Sequence, residues 1–156
     1  MTTLPDPEQT PTGSTTDPAD VVVRFLHALA AFDVDAALDL VDDDLVYANV
    51  SLPTIYGRER LERIARQWLR PGRLGFNVHF NHVASDGDVV ITDRIDELNW
   101  GRFASRFWVY GRFVVGDDGK IAVWRDSFDW LDVTIGNLRG LAGLVSPGLN
   151  RRMPAD

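Results

Sequence analysis

The sequence predicts a single α+β domain in which helices cover one face of a curved mixed or antiparallel sheet. The length of 156 residues suits one domain with its own core. Apolar residues recur at helical spacing in the first part of the chain, whereas long β-branched runs of alternating polarity fill the second part. Helices followed by a run of strands are typical of this fold class.

The N-terminal part predicts a tail and two helices. Residues 1–16 are rich in Thr, Pro and Ser and have almost nothing to bury, so we expect a disordered tail. Asp17 is placed as the N-cap of a first helix, with Pro18 at its first position. Asp33 is placed to cap a second helix over residues 34–41, whose apolar side chains recur on one side.

The next segment predicts a loop, a strand and a third helix. Residues 42–44 are three aspartates, but calcium loops space their ligands and include a Gly, so we interpret them as a solvated loop. Residues 45–51 alternate between polar and aliphatic side chains, as a half-buried strand does. Gly57 marks the turn into a helix over residues 58–69. Glutamates interrupt the arginines of that helix, which favours a solvated face over a nucleic-acid site.

From there to the C-terminal segment, the pattern is that of strands separated by short turns rich in Gly and Asp. The predicted strands cover residues 76–84, 89–100, 103–115 and 121–128. The apolar, Gly-containing segment 131–145 predicts a helix packed closely over the core or a pocket mouth, because it is too short to span a membrane. We expect the folded domain to cover residues 17–149 and a C-terminal tail to cover 150–156.

Composition argues against several classes of partner and site. A formal net charge of −7 argues against nucleic acid and against an anionic membrane surface as partners. The chain contains no cysteine, which excludes disulfides, thiolate metal sites and a Cys nucleophile. It contains neither a secretory signal pattern nor an apolar run of about 20 residues, so we expect a cytoplasmic protein without membrane insertion. His79 and His82 are three apart in a strand, so we expect them on opposite faces and expect no metal site.

The second of the four predicted strands carries the most informative group of residues. Because side chains alternate along a strand, Arg94 and Asp96 share one face and stand roughly 6–7 Å apart along the backbone. The last strand places Asp126 on one face with Trp124 and Phe128. If the two faces meet, an arginine lies between two aspartates in a mostly apolar pocket, which suits acid–base chemistry. A structural ion-pair network is the alternative interpretation of the same three charges.

Several short motifs follow one another along the chain. Four of them are Val46-Tyr47-x-Asn49, Tyr56-Gly57-Arg58, Thr92-x-Arg94-x-Asp96 and Trp124-Arg125-Asp126-x-Phe128-Asp129. In order and spacing they resemble the limonene-1,2-epoxide hydrolase family, over roughly residues 18–149. Two further stretches resemble its mycobacterial members, Phe107-Trp108-Val109-x-Gly111 and Leu138-Arg139-Gly140-Leu141. The resemblance implies an NTF2-like cone, with the N-terminal helices over the concave face of the sheet.

The resemblance also implies roles for five residues. Tyr47, Asn49 and Asp126 would hold the attacking water, with Asp126 as the general base. Asp96 would protonate the epoxide oxygen as the general acid. Arg94 would bridge the two carboxylates.

The same resemblance implies a substrate and an assembly. The substrate would be a small lipophilic epoxide that water opens directly to a vicinal diol, without a cofactor or metal, in a homodimeric enzyme. We expect the pocket that receives it to be lined by Trp124, Phe128, Leu98 and Trp108.

Other functions remain open at this point. A ketosteroid-isomerase-like or polyketide-cyclase-like enzyme also uses an Asp in a cone pocket, but adds no water to its substrate. A non-catalytic lipid-binding cone or a dimerisation module needs the pocket without the full polar set, and Tyr47, Asn49 and Asp126 argue against it. Diol formation from a panel of lipophilic epoxides distinguishes these functions.

Overall fold

A computed structural model describes residues 16–154 of the chain. The predicted N-terminal tail therefore lies outside the described residues, apart from residue 16, as do residues 155–156 of the predicted C-terminal tail. The helices are α1 (Pro18–Ala30), α2 (Val34–Leu38), α3 (Arg58–Trp68) and α4 (Trp130–Val145), followed by a short 3-10 helix (Pro147–Leu149). The strands are β1 (Val41–Asn49), β2 (Ile55–Tyr56), β3 (Gly75–Asp86), β4 (Val89–Trp100), β5 (Phe103–Val115) and β6 (Ile121–Ser127).

The strands form one six-stranded mixed sheet in the order β2-β1-β6-β5-β4-β3. Strands β3 to β6 form an antiparallel meander, and β6 then returns beside β1 and pairs with it in parallel. The predicted α+β fold class is confirmed. The parallel pair matters for function, because it brings the first strand of the chain next to the last one.

The segment between α2 and β1 differs from the sequence-based prediction. The second helix ends at Leu38 rather than at residue 41, because Val41 already pairs with Ile121 of β6. The aspartates at 42–44 lie within β1 rather than in a loop, in a stretch where the register with β6 shifts. Val41 and Val46 pair with β6 on either side of this stretch, while the Asp42 carboxylate accepts a hydrogen bond from the Asp44 N–H at 2.7 Å, as Asp does in turns. The sequence analysis also missed β2, which is only two residues long.

The helix caps are as predicted. The Asp17 carboxylate accepts a hydrogen bond from the Ala19 N–H at 2.9 Å, and the Asp33 carboxylate accepts one from the Ala36 N–H at 3.0 Å. Each cap satisfies an N–H that the helix itself cannot bond. Both helix starts are therefore encoded locally.

The core lies between α1 and the concave face of the sheet. The edge of the Phe25 ring packs against Trp124 of β6, with ring centroids 5.1 Å apart, and Phe113 of β5 stacks on the same indole. Of the residues in α1, only Leu29 reaches the cavity described below. Helix α1 therefore fills one end of the concave face, and the other end remains open. The fully buried apolar residues of this core include Val21, Val22, Phe25, Leu26, Val41, Leu45, Val90, Phe113 and Ile121.

Helix α4 covers an edge of β5 that has no strand partner. Strand β6 pairs only with residues 110–115 of β5, which leaves the first half of β5 unpaired on that side. The Trp108 N–H there donates to the Asp132 carboxylate at 2.7 Å, and the Asn150 side chain donates to the Ala104 carbonyl at 2.9 Å. An exposed strand edge invites pairing with other chains, so the helix protects the sheet.

Two glycines let α4 approach this edge closely. A Cβ atom at Gly136 would lie 2.6 Å from the Arg106 carbonyl oxygen, and one at Gly140 would lie 2.6 Å from the Ala104 carbonyl oxygen. Both obstacles are backbone atoms of a paired strand, which cannot move aside as a flexible side chain can. The glycines are therefore required by packing, although they weaken the helix itself.

Replacing Gly136 by Ala is expected to lower the free energy of unfolding by about 1–3 kcal/mol, as overpacking in other interiors does. In a helix free of such contacts, the same change would raise stability by about 1 kcal/mol. Urea unfolding followed by circular dichroism measures the difference. Gly148→Ala is the control, because a Cβ there meets nothing within 4 Å. A Gly136→Ala variant as stable as the parent protein would contradict this account of α4 packing.

Candidate active site

The inward face of β4 carries buried polar side chains. Thr92 and Arg94 are fully buried, and Asp96 is only 7% exposed. Charged side chains are rarely buried to this extent unless they are paired, because the loss of hydration costs several kcal/mol per ion. The guanidinium of Arg94 therefore requires strong partners inside the protein.

Arg94 has four hydrogen bonds to three side chains. Its Nε donates to Asp96 Oδ1 at 2.9 Å, and its Nη2 donates to Asp96 Oδ2 at 3.2 Å. The same Nη2 donates to Asp126 Oδ2 at 2.7 Å, and Nη1 donates to Thr92 Oγ1 at 2.9 Å. One guanidinium thus connects two carboxylates that come from different strands.

The guanidinium reaches Asp126 by passing over a glycine. Gly111 of β5 lies opposite Thr92 of β4 on one side and opposite Asp126 of β6 on the other. A Cβ at Gly111 would lie 2.2 Å from Arg94 Nη1 and 2.5 Å from Thr92 Oγ1. Sequence analysis assigned Gly111 and Thr92 no role in the site. A glycine in the interior of a strand, without a turn nearby, is the signal that pointed to a close approach of this kind.

The parallel pairing of β1 with β6 brings Tyr47 and Asn49 to the site. Tyr47 lies opposite Trp124 and Asn49 lies opposite Asp126. The Tyr47 ring stacks on the Trp124 indole, with centroids 3.9 Å apart. Asn49 Nδ2 donates to the Tyr47 hydroxyl oxygen at 2.6 Å, which fixes both side chains relative to Asp126. All five residues predicted to form the site therefore come together.

Burial controls the protonation of this group. It raises the pKa of Asp96 to about 6, although Arg94 lowers it and Asp126 adds a smaller increase. Burial also raises the pKa of Asp126, against the opposing charge of Arg94. Burial disfavours the charged form of Arg94, but the two carboxylates outweigh it and the pKa of Arg94 is raised. Burial and the charge of Asp126 raise the pKa of Tyr47, so its hydroxyl keeps its proton at neutral pH.

One oxygen of Asp126 has no hydrogen bond of ordinary geometry among residues 16–154. Arg94 occupies Oδ2, whereas Oδ1 is buried and unpaired. The indole N–H of Trp124 lies close enough to the Asp126 carboxyl to lower its pKa, although the contact falls short of ordinary hydrogen-bond geometry. Buried polar atoms are almost always bonded, so an unpaired carboxylate oxygen beside a cavity is suited to accept a proton or a hydrogen bond from a bound molecule.

A cavity of about 510 Å³ opens beside these residues. Four residues of the site line it, Tyr47, Asn49, Asp96 and Asp126, and so do three other polar residues, Asn99, Ser105 and Asn137. The apolar lining includes three predicted pocket residues, Leu98, Trp124 and Phe128, together with Leu29, Leu69, Leu74, Phe76, Phe103, Phe107, Val109, Trp130 and Val133. A largely apolar cavity with a few convergent polar groups is typical of a site for a small lipophilic molecule.

The prediction that Trp108 lines the pocket is wrong. Trp108 pairs with Ile95, and its neighbours Phe107 and Val109 face the cavity instead. The side chain of Trp108 therefore lies on the convex face of the sheet, where Nε1 donates to Asp93 Oδ1 at 2.6 Å. Sequence analysis missed Phe107 and Val109, because the hydrophobic alternation of β5 alone does not tell which face is concave.

The expectation that His79 and His82 face opposite sides of the sheet is also wrong. The register of β3 shifts between Phe80 and His82, so that both histidines pair with residues of the convex face of β4. His82 lies near Asp93 there, with Nδ1 3.6 Å from Oδ2. No group of three or more His, Cys, Asp or Glu side chains that could hold a metal ion occurs within residues 16–154.

Comparisons with known proteins identify the family of the chain. The profile of the limonene-1,2-epoxide hydrolase catalytic domain matches residues 16–139. The chain is 44% identical to epoxide hydrolase EphG of Mycobacterium tuberculosis over 128 residues, which is 82% of this chain and 84% of that protein.

Two solved structures give the same result for the fold. A structure described as an M. tuberculosis LEH-like epoxide hydrolase is 41% identical and superposes with a TM-score of 0.84, covering 91% of this chain and 99% of that one. An NTF2-like protein of unknown function from Cytophaga hutchinsonii is 19% identical and superposes with a TM-score of 0.60, covering 76% of this chain and 94% of that one. The second match supports the NTF2-like fold alone.

The family match covers most of the chain, and the relatives match along most of their own length. The resemblance predicted from the motifs is confirmed: this chain belongs to the limonene-1,2-epoxide hydrolase family of enzymes.

Proposed function

We propose that the protein hydrolyses a lipophilic epoxide to a vicinal diol by direct addition of water, with one aspartate as acid and the other as base. The observation that carries this proposal is the buried Arg94, which bridges Asp96 and Asp126 beside an apolar cavity. Epoxide opening needs a proton delivered to oxygen and a proton removed from water. Two carboxylates that share one cation can perform both transfers.

Charge balance supports a single shared proton in this group. Two ionised aspartates and one arginine leave a net negative charge in an apolar environment, whereas one added proton makes the trio neutral. Burial favours the neutral arrangement, in agreement with the raised pKa values of both carboxyls. The proton belongs to the coupled pair rather than to one residue. Water bound at Asp126 would stabilise the ionised form of that carboxylate and leave the proton on Asp96.

Three groups support the position of the attacking water. Asp126 Oδ1, which Arg94 does not occupy, is available as an acceptor of its proton. The Tyr47 hydroxyl keeps its own proton and can donate it to the water oxygen. The Asn49 amide nitrogen is engaged with the Tyr47 hydroxyl, so its carbonyl oxygen is turned to other partners. An acceptor and a donor held on paired strands restrict the orientation of one water molecule.

The proposed reaction conserves the charge of the site. The water oxygen forms a bond to an epoxide carbon as its proton passes to Asp126, and the carbon–oxygen bond of the ring breaks. The ring oxygen takes the proton of Asp96, which gives the second hydroxyl of the diol. Before and after the step the trio holds one proton, so Arg94 remains balanced throughout. Transfer of that proton from Asp126 back to Asp96 restores the enzyme.

The cavity favours a lipophilic substrate. Seven polar residues line it, four of them from the site, and aliphatic and aromatic side chains form most of the wall. We also propose that the enzyme acts as a homodimer in the cytoplasm. The dimer is supported by the family resemblance, and the cytoplasm by the composition of the chain.

The test of the proposed function is a single turnover in water labelled with heavy oxygen, with enzyme in excess over a lipophilic epoxide. Direct attack places the label in the diol on this first turnover. A covalent ester on the enzyme would instead deliver an unlabelled carboxylate oxygen, and that result would exclude direct attack. A panel of epoxides that yields isomers or cyclised products, and no diol, would favour the isomerase-like or cyclase-like function.

Replacing Asp126 by Asn is expected to lower kcat by at least about 100-fold, because an amide cannot take the proton of water. Diol formation under saturating epoxide measures the effect. Asp93→Asn is the matched control, since Asp93 lies on the same sheet but on the convex face. It is expected to retain activity. An Asp126→Asn variant that melts like the parent and keeps more than about a tenth of its kcat would remove Asp126 as the base, given the roughly 100-fold lower limit for such catalysis.

The pH dependence of kcat/KM is expected to be bell-shaped. Below the lower pKa of the pair both carboxyls hold protons and no base is available, and above the upper pKa no acid remains. Because the pKa of Asp96 is raised to about 6, the acid is kept up to that pH and lost above it. We therefore expect kcat/KM to decline on the alkaline side of pH 6. Activity that continued to rise with pH across the neutral range, with the fold intact by circular dichroism, would contradict the role of a protonated carboxyl.

A further inference from the structure

The mouth of the cavity is formed by exposed apolar side chains. Leu52, Trp100 and Trp130 all line the cavity, yet they are 48%, 72% and 48% exposed. A side chain that both lines a cavity and contacts solvent lies at its rim. Two tryptophans and a leucine at a rim leave a large apolar area in contact with water, which soluble surfaces rarely do without a partner.

The outer side of α4 continues this apolar area. Because Gly136 and Gly140 face β5, the larger apolar side chains of the helix lie on its other sides. Four exposed apolar residues lie along one side of the helix, because they are spaced seven, three and four positions apart. We call them the α4 stripe: Leu131, Leu138, Leu141 and Val145. The stripe adjoins the mouth, since Trp130 and Val133 of the same helix line the cavity.

The charges near this surface are mostly positive, although the whole chain carries −7. Arg102 lies beside α4, with Nη2 3.5 Å from the Leu144 carbonyl oxygen. The nearby acidic residues are Asp129, which caps α4, and Asp132, which is bonded to the Trp108 N–H. Arg70 and Arg73 are sequence neighbours of the cavity residues Leu69 and Leu74. Arg139 belongs to α4 and is exposed, and Arg151 and Arg152 follow the short 3-10 helix after α4.

We propose that the mouth and the α4 stripe dock onto an anionic phospholipid surface. Leucine and valine side chains of the stripe enter the boundary between head groups and acyl chains, and the rim tryptophans lie at the level of the head groups. The arginines lie against the negative head groups. The docking is peripheral, because no helix within residues 16–154 is long and apolar enough to cross a membrane. A net charge of −7 argues against binding to anionic lipid only if the charges are spread evenly over the protein. In this chain, arginines lie within α4 and next to it.

The position of the mouth favours a lipid surface over a second copy of the chain. A protein partner seated on the stripe and the rim would close the entrance to the cavity. A lipid surface would instead supply lipophilic molecules to that entrance. This supply of substrate rests on the proposed function, whereas the docking itself does not.

Flotation of the protein with vesicles tests the proposal without any substrate. The vesicles are phosphatidylcholine alone, and phosphatidylcholine with phosphatidylglycerol in equal parts. The parent protein is expected to float with the anionic vesicles and much less with the neutral ones. Leu138→Glu/Val145→Glu is expected to reduce partitioning at least about tenfold, because two inserted apolar side chains are lost. Arg139→Glu is expected to reduce it at least about fivefold, since each basic residue near the surface contributes about that factor.

Lys120→Glu is the matched control. It changes the net charge by the same two units as each test variant, but it lies in the turn between β5 and β6, at the opposite end of β5 from the mouth. It is expected to float like the parent protein. Failure of the parent to float, equal loss in Lys120→Glu, or full binding by Leu138→Glu/Val145→Glu would each overturn the proposal.

Two further measurements separate this proposal from the others. Turnover of a water-soluble epoxide in lipid-free buffer is expected to be unchanged in Leu138→Glu/Val145→Glu, because neither residue lines the cavity. Inactivity of the parent would refute the proposed function but leave the flotation result standing. If the double substitution lowers the oligomeric state in light scattering, the stripe is a subunit interface and the lipid proposal is wrong.

Discussion

The buried guanidinium of Arg94 is the interaction on which the rest of the site depends. A fully buried cation is tolerated only when carboxylates and hydrogen bonds replace its water. Asp96 comes from the same strand, but Asp126 comes from β6, and the guanidinium must cross β5 to reach it. This crossing requires Gly111 opposite Thr92, and therefore fixes the register of three strands. A one-residue slip would turn every member of the group to the other face of the sheet.

The raised pKa of Asp96 makes the stability of the folded state depend on pH. An aspartate with a raised pKa in the folded state binds its proton more tightly there than in the unfolded chain. Between the unfolded value of about 4 and the folded value of about 6, Asp96 therefore makes the folded state less stable as pH rises. An ion pair exposed to water lowers the pKa of its carboxylate, because little hydration is lost. At both aspartates burial outweighs the pairing with Arg94, so keeping the two carboxylates ionised opposes folding.

The sequence predicts most of the fold because its signals are local or strictly periodic. The caps at Asp17 and Asp33, the long strands β4 and β5 and the turns between them depend on neighbouring residues. The misplaced features depend on distant ones. The aspartates at 42–44 belong to a strand because Val41 and Val46 on either side of them pair with β6, and the two histidines of β3 share a face because of a shift in register. Trp108 was assigned to the wrong face because alternation fixes the relative, not the absolute, direction of a side chain.

Helix α4 shows how one requirement produces several others. The first half of β5 lacks a strand partner, so something must cover its edge, and only a helix with glycines at 136 and 140 can lie against those carbonyl groups. Because the glycine side faces the strand, the large apolar residues of the helix point either to the cavity or away from the protein. The same packing that protects the sheet therefore builds one wall of the pocket and exposes an apolar stripe beside its entrance. Edge protection, pocket shape and surface character are three consequences of one backbone contact.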